Sequence, residues 1–213
     1  MIAGVTIDKN DEDKLKKFGV KDSKTLSPKR REDLAQKIEE LAANVIVLRV
    51  QPCRIDDMRA AGINLDKIEA MKMAEIIDLS TGTTVYIDAL TSNPKKFERV
   101  VTSYTKSKEY DLVVKNYLDE SVIAVSAASI IAKVERDKSI QEIKDRVNFD
   151  FGVGYPHDQR TIDFVESLIK KKKDLPTFVR KSWVTTEMLM EKNWQKKVKD
   201  FFIRKENCKE DAV

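Results

Sequence analysis

The sequence is poor in residues that carry several common chemistries. Its 213 residues include two cysteines, Cys53 and Cys208, too far apart for a disulfide framework or a zinc spacing. That usage points to a reducing intracellular compartment and a cytoplasmic location. The single histidine, His157, has no neighbouring ligand residues and reads as a surface side chain rather than a metal ligand. The longest run of apolar and small residues, 122–132, contains two serines and is too short to span a bilayer. No positively charged leader precedes an apolar segment, so no secretory signal is expected. Neither sign of charge dominates: 40 Lys+Arg stand against 36 Asp+Glu, a net +4. This mild excess permits a nucleic-acid partner without demanding one.

What is present is a chain that is 41% hydrophobic and 36% charged, long enough for one well-buried core and a small appendage. Its organising stretch is 119–137, DESVIAVSAASIIAKVERD. From residue 124 it lacks Gly and Pro, and Ser126, Ser129, Lys133 and Asp137 recur at helical spacing on an otherwise mostly apolar helix. Ala127, Ala128 and Ala132 would let that helix lie close to a sheet, with Asp119 just before its start. On pattern alone two readings stand: a polar stripe that meets partners, or an ordinary amphipathic helix with its serines in solvent.

Taken in order, residues 1–8 read as a short apolar strand starting at the first residue. A charged turn or short helix follows, stopped at Gly19. Ser27 is placed to cap a helix with Pro28 at its first position, and Lys29, Arg30 and Arg31 fill the first turn. Basic residues there oppose the macrodipole, so the cluster is expected to serve an anion, the alternative being a solvated charge run. Residues 45–50 read as a strand, 54–62 as a connector, and Asn64 or Asp66 as the cap of a helix with Ile68, Met71, Ala74 and Ile77 inward. A strand over 83–87 delivers Asp88 at its C-terminal end, where open α/β sheets place their sites. A helix from Pro94 and a strand over 110–114 lead to Asp119. Strands alternating with helices predict an α/β fold with a mixed sheet. Residues 149–156 form a Gly-containing loop presenting Tyr155, which either stacks on a sugar or base or closes the loop over the core. A helix over 161–173 ends in four lysines, and a last helix starts near Thr185.

The run VSAASIIAKVERD resembles the signature helix of ribonuclease HII. Further blocks in register resemble the same family: VKDSKTLSPKRRE at 20–32, INLDKIEA at 63–70, YIDA at 86–89, GVGYPHDQRT at 152–161 and VRKSWVT at 179–185. The resemblance implies a ribonuclease H-like mixed sheet flanked by helices, with a small C-terminal helical appendage. It divides the chain into a catalytic domain over 1–157, a helical substrate-binding region over 158–194 and a tail over 195–213. It implies an endonuclease that hydrolyses the RNA strand of RNA–DNA hybrids and nicks at ribonucleotides embedded in duplex DNA, leaving 5′-phosphate and 3′-hydroxyl ends. The alternative is a non-catalytic relative that binds hybrids or a sliding clamp.

Phosphodiester hydrolysis of this kind is served by two divalent ions held by clustered carboxylates, and hard ions such as Mg²⁺ or Mn²⁺ take oxygen ligands. Of the family's four carboxylates, Asp88 and Asp119 match two. Asp137, Lys133, Ser126 and Ser129 take supporting roles, and Tyr155, Ser23, Lys24 and Arg30 are the implied nucleic-acid contacts. Residues 115–119, KNYLD, depart from the His-Lys-Ala-Asp of many relatives at Asn116 and Tyr117. The family's opening Asp-Glu-Ala-Gly-Arg-Gly strand has no match, so the start is expected to be late or trimmed, and the chain as it stands inactive and poorly stable. In the tail, Gln195, Val198, Phe201 and Phe202 fit Q-x-x-h-x-x-F-F, which resembles peptides that dock on sliding clamps of the proliferating cell nuclear antigen type. A monomer is expected.

Overall fold

Short β-branched runs and helical periods produce four strands and nine α-helices among the described residues of the computed structural model. The structure describes all residues except 22, 90, 107–109, 172–173 and 207–213, and of 196–206 only the backbone. Strand β1 (Ile2–Thr6) runs antiparallel to β2 (Asn44–Leu48), with Gly4 opposite Ile46. Strand β3 (Thr84–Asp88) runs parallel to β4 (Asp111–Lys115), with Asp88 opposite Lys115. These pairs form two separate ladders, one antiparallel and one parallel, flanked by helices. No helix among the described residues is long and apolar enough to cross a membrane.

Two compact units emerge, one from Met1–Val50 with Ala61–Glu142, the other from Gln51–Ala60 with Ile143–Val213. In the first, α1 (Glu12–Phe18) ends at Gly19, whose φ of 87° needs a residue without a Cβ. Helix α2 (Pro28–Leu41) starts where expected, the Ser27 hydroxyl accepting the Arg30 amide at 3.3 Å. Between Asn64 and Asp66 the cap is Asn64, which accepts the Lys67 amide at 2.9 Å and opens α4 (Leu65–Leu79). Helix α5 (Pro94–Tyr104) begins likewise on Asn93. Leu15, Leu34, Ile38, Ile130 and Ile131 form one core cluster, against which Ala3, Val5, Val45 and Val47 of the antiparallel pair pack. Ala70, Ile77, Ile87, Phe97, Val101 and Val114 form a second around the parallel pair. Helix α4 lies against both: it touches β1, β2 and α5.

The organising helix is α7 (Ile123–Val147), running on past Asp137. Ser126 is 2% exposed, so the reading with serines in solvent is wrong. A hydroxyl on a helix can satisfy itself on a backbone carbonyl one turn back, and Ser126 does so while also reaching a carbonyl across the turn.

In the second unit the connector expected over 54–62 is instead a helix, α3 (Pro52–Ala60). The Asp56 carboxylate accepts the Lys181 and Ser182 amides at 2.8 and 2.9 Å, a support from 125 residues away that local pattern does not announce. Helices α8 (Gln159–Lys171) and α9 (Val184–Glu206) complete this unit, with Val165, Ile169 and Val179 at its core and Leu189 against them.

Candidate active site

The two parallel strands end side by side, β3 on one carboxylate and β4 a few residues before the helix that carries the other. Asp88 is the last residue of β3. Beyond it the Ala89 amide donates to the Lys115 carbonyl at 2.8 Å, carrying the ladder one step further. After β4 the Asn116 carboxamide donates to the carbonyls of Ala89 and Thr91 at 2.9 and 3.0 Å, tying the two turns together. Tyr117 then adopts φ 62°, ψ 30°, a left-handed conformation uncommon for a side chain of this size. That reversal starts α6 (Leu118–Ser121), which carries Asp119. The departure at Asn116 and Tyr117 is thus compatible with the turn: Asn116 supplies the tie, and Tyr117, 72% exposed, makes the reversal.

Asp88 accepts the Leu118 amide at 3.2 Å. Burial pushes its carboxyl above the usual range and the Asp119 charge adds to this, while the amides of Leu118 and Tyr117 and the Lys24 ammonium pull it back. The folded chain therefore holds this proton more tightly than the unfolded chain. The group favours the fold in acid and costs stability as the pH rises through the window above its ordinary 3.8.

Asp119 is buried, and its carboxylate meets the Lys24 ammonium at 3.2 Å. Ser126 of α7 donates to the Asp119 carbonyl at 2.7 Å, which fixes the backbone of α6 to the helix behind it. The Ser23 and Ser129 hydroxyls lie 2.8 Å apart, joining the 3-10 turn Ser23–Thr25 to α7. Asp137 takes Arg31 at 3.4 Å and Arg136 at 3.0 Å. Lys133 lies half-buried on the same helix. Arg30 donates to the Phe18 carbonyl at 2.5 Å. Arg31, grouped in sequence with an anion-binding cluster, instead turns inward and is 7% exposed. The turn geometry that decides this is not local to α2.

Asp88 and Asp119 are two hard-oxygen donors, close enough for one charge to raise the other's proton affinity. A carboxyl pushed up by burial and by a neighbouring anion is a donor set that suits an oxygen-seeking divalent cation, with water and substrate oxygens filling its remaining positions. Among the described residues there is no group of three or more His, Cys, Asp or Glu placed to hold a metal. The pair present could hold one ion.

In the second unit Tyr155 is half-buried on a loop braced from beneath. Phe149 and Phe151 stack on Phe164 with ring centroids 5.5 and 4.9 Å away. Gly152 and Gly154 take φ of 87° and 71°. Asp158 accepts the Val153 amide at 2.6 Å, the main cause of its depressed pKa. A Cβ at Gly152 would collide with that carboxylate. Exposed His157 stacks on the Tyr155 ring at 5.3 Å and 13°, a neighbour that sequence reading did not assign to the tyrosine. Gln195 is exposed on α9, whereas the side chains of Val198, Phe201 and Phe202 lie outside the described residues.

The Ribonuclease HII family model matches residues 1–186. Ribonuclease HII of Methanothermobacter thermautotrophicus is 40% identical over 189 residues, spanning 88% of this chain and 89% of that one. The crystal structure of ribonuclease H2 from Pyrococcus horikoshii superposes with a TM-score of 0.79 at 31% identity, covering 90% of this chain and 93% of that one. Ribonuclease HII in the structure of its complex with PCNA from Archaeoglobus fulgidus gives 0.75 at 36%, covering 88% and 86%. With the ribonuclease H-like fold and a carboxylate pair at the ends of its parallel strands, the chain belongs to the ribonuclease HII family, hydrolases of the ribonuclease H type.

Proposed function

We propose that the protein is a divalent-metal-dependent endonuclease that cuts the RNA strand of RNA–DNA hybrids and nicks at ribonucleotides embedded in duplex DNA. The observation that carries this reading is the buried Asp119 carboxylate, held beside Asp88 and faced by the Lys24 ammonium. Asp88 and Asp119 would hold Mn²⁺ or Mg²⁺, which when bound supplies Lewis-acid activation of water and charge stabilisation at the leaving oxygen. Leu118 orients Asp88 through its amide, and Ser126 fixes the backbone carrying Asp119. Lys24, 73% exposed at its side chain, is placed to meet a phosphate as well as the carboxylate. Tyr155, braced by His157, takes the role of sensing a 2′-hydroxyl by stacking. Ser23 and Arg30 complete the implied nucleic-acid contacts, in a functional division of 1–157 for catalysis and 158–194 for substrate.

Two carboxylates serve one ion better than a pair, so chain 1–213, which the sequence leads one to expect inactive, is proposed to retain slow cleavage at most. The same observation keeps a second reading open, a hybrid-binding relative without turnover. The test is a duplex carrying one ribonucleotide, incubated with Mg²⁺ and with Mn²⁺. Preferred binding over all-DNA duplex, with slow metal-dependent nicking to a 3′-hydroxyl, is the expected result. Binding without nicking selects the second reading, and no preference for the ribonucleotide removes both.

The tail over 195–213 is assigned to a sliding clamp of the proliferating cell nuclear antigen type, on the Gln195, Val198, Phe201, Phe202 pattern and the family relative solved with PCNA. Changing Phe201 and Phe202 together to Ala is expected to weaken clamp binding at least about tenfold, since adjacent aromatic anchors carry most of such an interface. Unchanged affinity by calorimetry would remove the assignment.

A further inference from the structure

Arg31 is a guanidinium in the core of the first unit, 7% exposed, in the first turn of α2 where a positive charge opposes the helix dipole. Burying such a charge is expensive, and a buried ion pair seldom repays it in stability alone. Its bonds are specific. One terminal nitrogen donates to the Leu26 carbonyl at 2.6 Å and reaches the Ser23 carbonyl at 3.4 Å. The other meets Asp137 on α7 at 3.4 Å. Asp137 in turn takes Arg136 at 3.0 Å on its other carboxylate oxygen. The buried Nε has no partner among the described residues, so the group gives up one donor to keep this geometry.

The two carbonyls that Arg31 holds flank Lys24 in the chain. Ser23 is also joined to Ser129 of α7 at 2.8 Å. The turn Ser23–Thr25 is thus pinned at both ends, to α2 through Arg31 and to α7 through Ser129, while the Lys24 side chain between them is solvent-exposed and reaches Asp119. A long flexible side chain on a loose turn would lose much of that contact to conformational entropy; a pinned backbone leaves only its own rotamers to order.

We infer that Arg31 is a positioning residue: anchored on Asp137, it clamps the turn that bears Lys24 and so sets the ammonium on the buried Asp119 carboxylate. The inference concerns the placement of Lys24, and only its consequence for substrate rests on the function proposed above.

The experiment is amine acetylation of the full chain, with the rate at each lysine followed by peptide mass spectrometry. Acetylation requires the Lys24 nitrogen to leave its 3.2 Å contact with Asp119, and Asp119→Asn calibrates that release. Arg31→Lys keeps the charge for Asp137 but cannot fork to two carbonyls and a carboxylate at once. In that variant Lys24 is expected to react about tenfold faster, approaching its rate in Asp119→Asn, as loss of a charge-assisted hydrogen bond implies. Lys29 and Lys37 on α2 should keep their rates, which a general loosening of the helix would not allow. Should Arg31→Lys fail to fold, Arg31→Met with Asp137→Asn removes the pair together and should release Lys24 equally. A folded form of either variant in which Lys24 stays as slow as in the parent overturns the inference. Hybrid affinity of Lys24→Ala separates the two levels: unchanged affinity removes Lys24 from the substrate site, while its release in Arg31→Lys still establishes the clamp.

Discussion

Asp119→Asn is expected to abolish metal-dependent cleavage and to lower Mn²⁺ affinity at least about 100-fold, more than the loss of an outer partner of a metal ligand typically costs. The reason is the poverty of the donor set. With Asp88 and Asp119 as the carboxylate pair brought together here among the described residues, changing one carboxylate to a neutral amide removes half of the negative charge that pair offers a cation. The fold should tolerate the change. Asn has the same shape, the Ser126 bond goes to the main-chain carbonyl of residue 119 and survives, and Lys24 is exposed enough to return its ammonium to water. Calorimetric titration with Mn²⁺ and a thermal melt of the same sample read both parts. Undiminished Mn²⁺ binding by a folded Asp119→Asn protein would place the ion elsewhere.

The second large effect is structural. Gly4 lies in the middle of β1 with α4 against it, and a Cβ built there would overlap the Cγ2 atom of Ile76. Ile76 is buried and β-branched on a helix, so its rotamer cannot turn aside cheaply. Gly4→Ala must therefore move α4 away from the antiparallel pair. Overpacking of this kind costs about 1–3 kcal/mol, or roughly 2–10 °C in melting temperature for a chain of this size. The cost is steric rather than conformational, so Ile76→Ala should recover part of it: the double variant is expected to be more stable than the sum of the two single losses implies. Strict additivity in thermal melts would show that Gly4 is needed for some other reason.

The sequence alone carried the α/β class, the cap at Ser27, a cap at Asn64 or Asp66 between which the structure chose Asn64, the strand that delivers Asp88 and the long helix behind Asp119. These are local properties: periodicity, capping chemistry and β-branched runs act over a few residues and are written in consecutive letters. The resemblance in six blocks pointed to the family and to Asp88, Asp119 and Tyr155 as its residues. What local pattern could not determine was how distant groups meet. Arg31 read as one of three basic residues awaiting an anion, and only the arrival of Asp137 and the carbonyls of Ser23 and Leu26 turns it into the core. Residues 54–62 read as a connector, and the amides that Asp56 accepts on the helix found there belong to residues 181 and 182. Asn116 looked like a departure from a motif, and tertiary structure makes it the tie between two turns. In each case a polar side chain has several possible partners of similar strength, and burial selects one of them by removing water as a competitor.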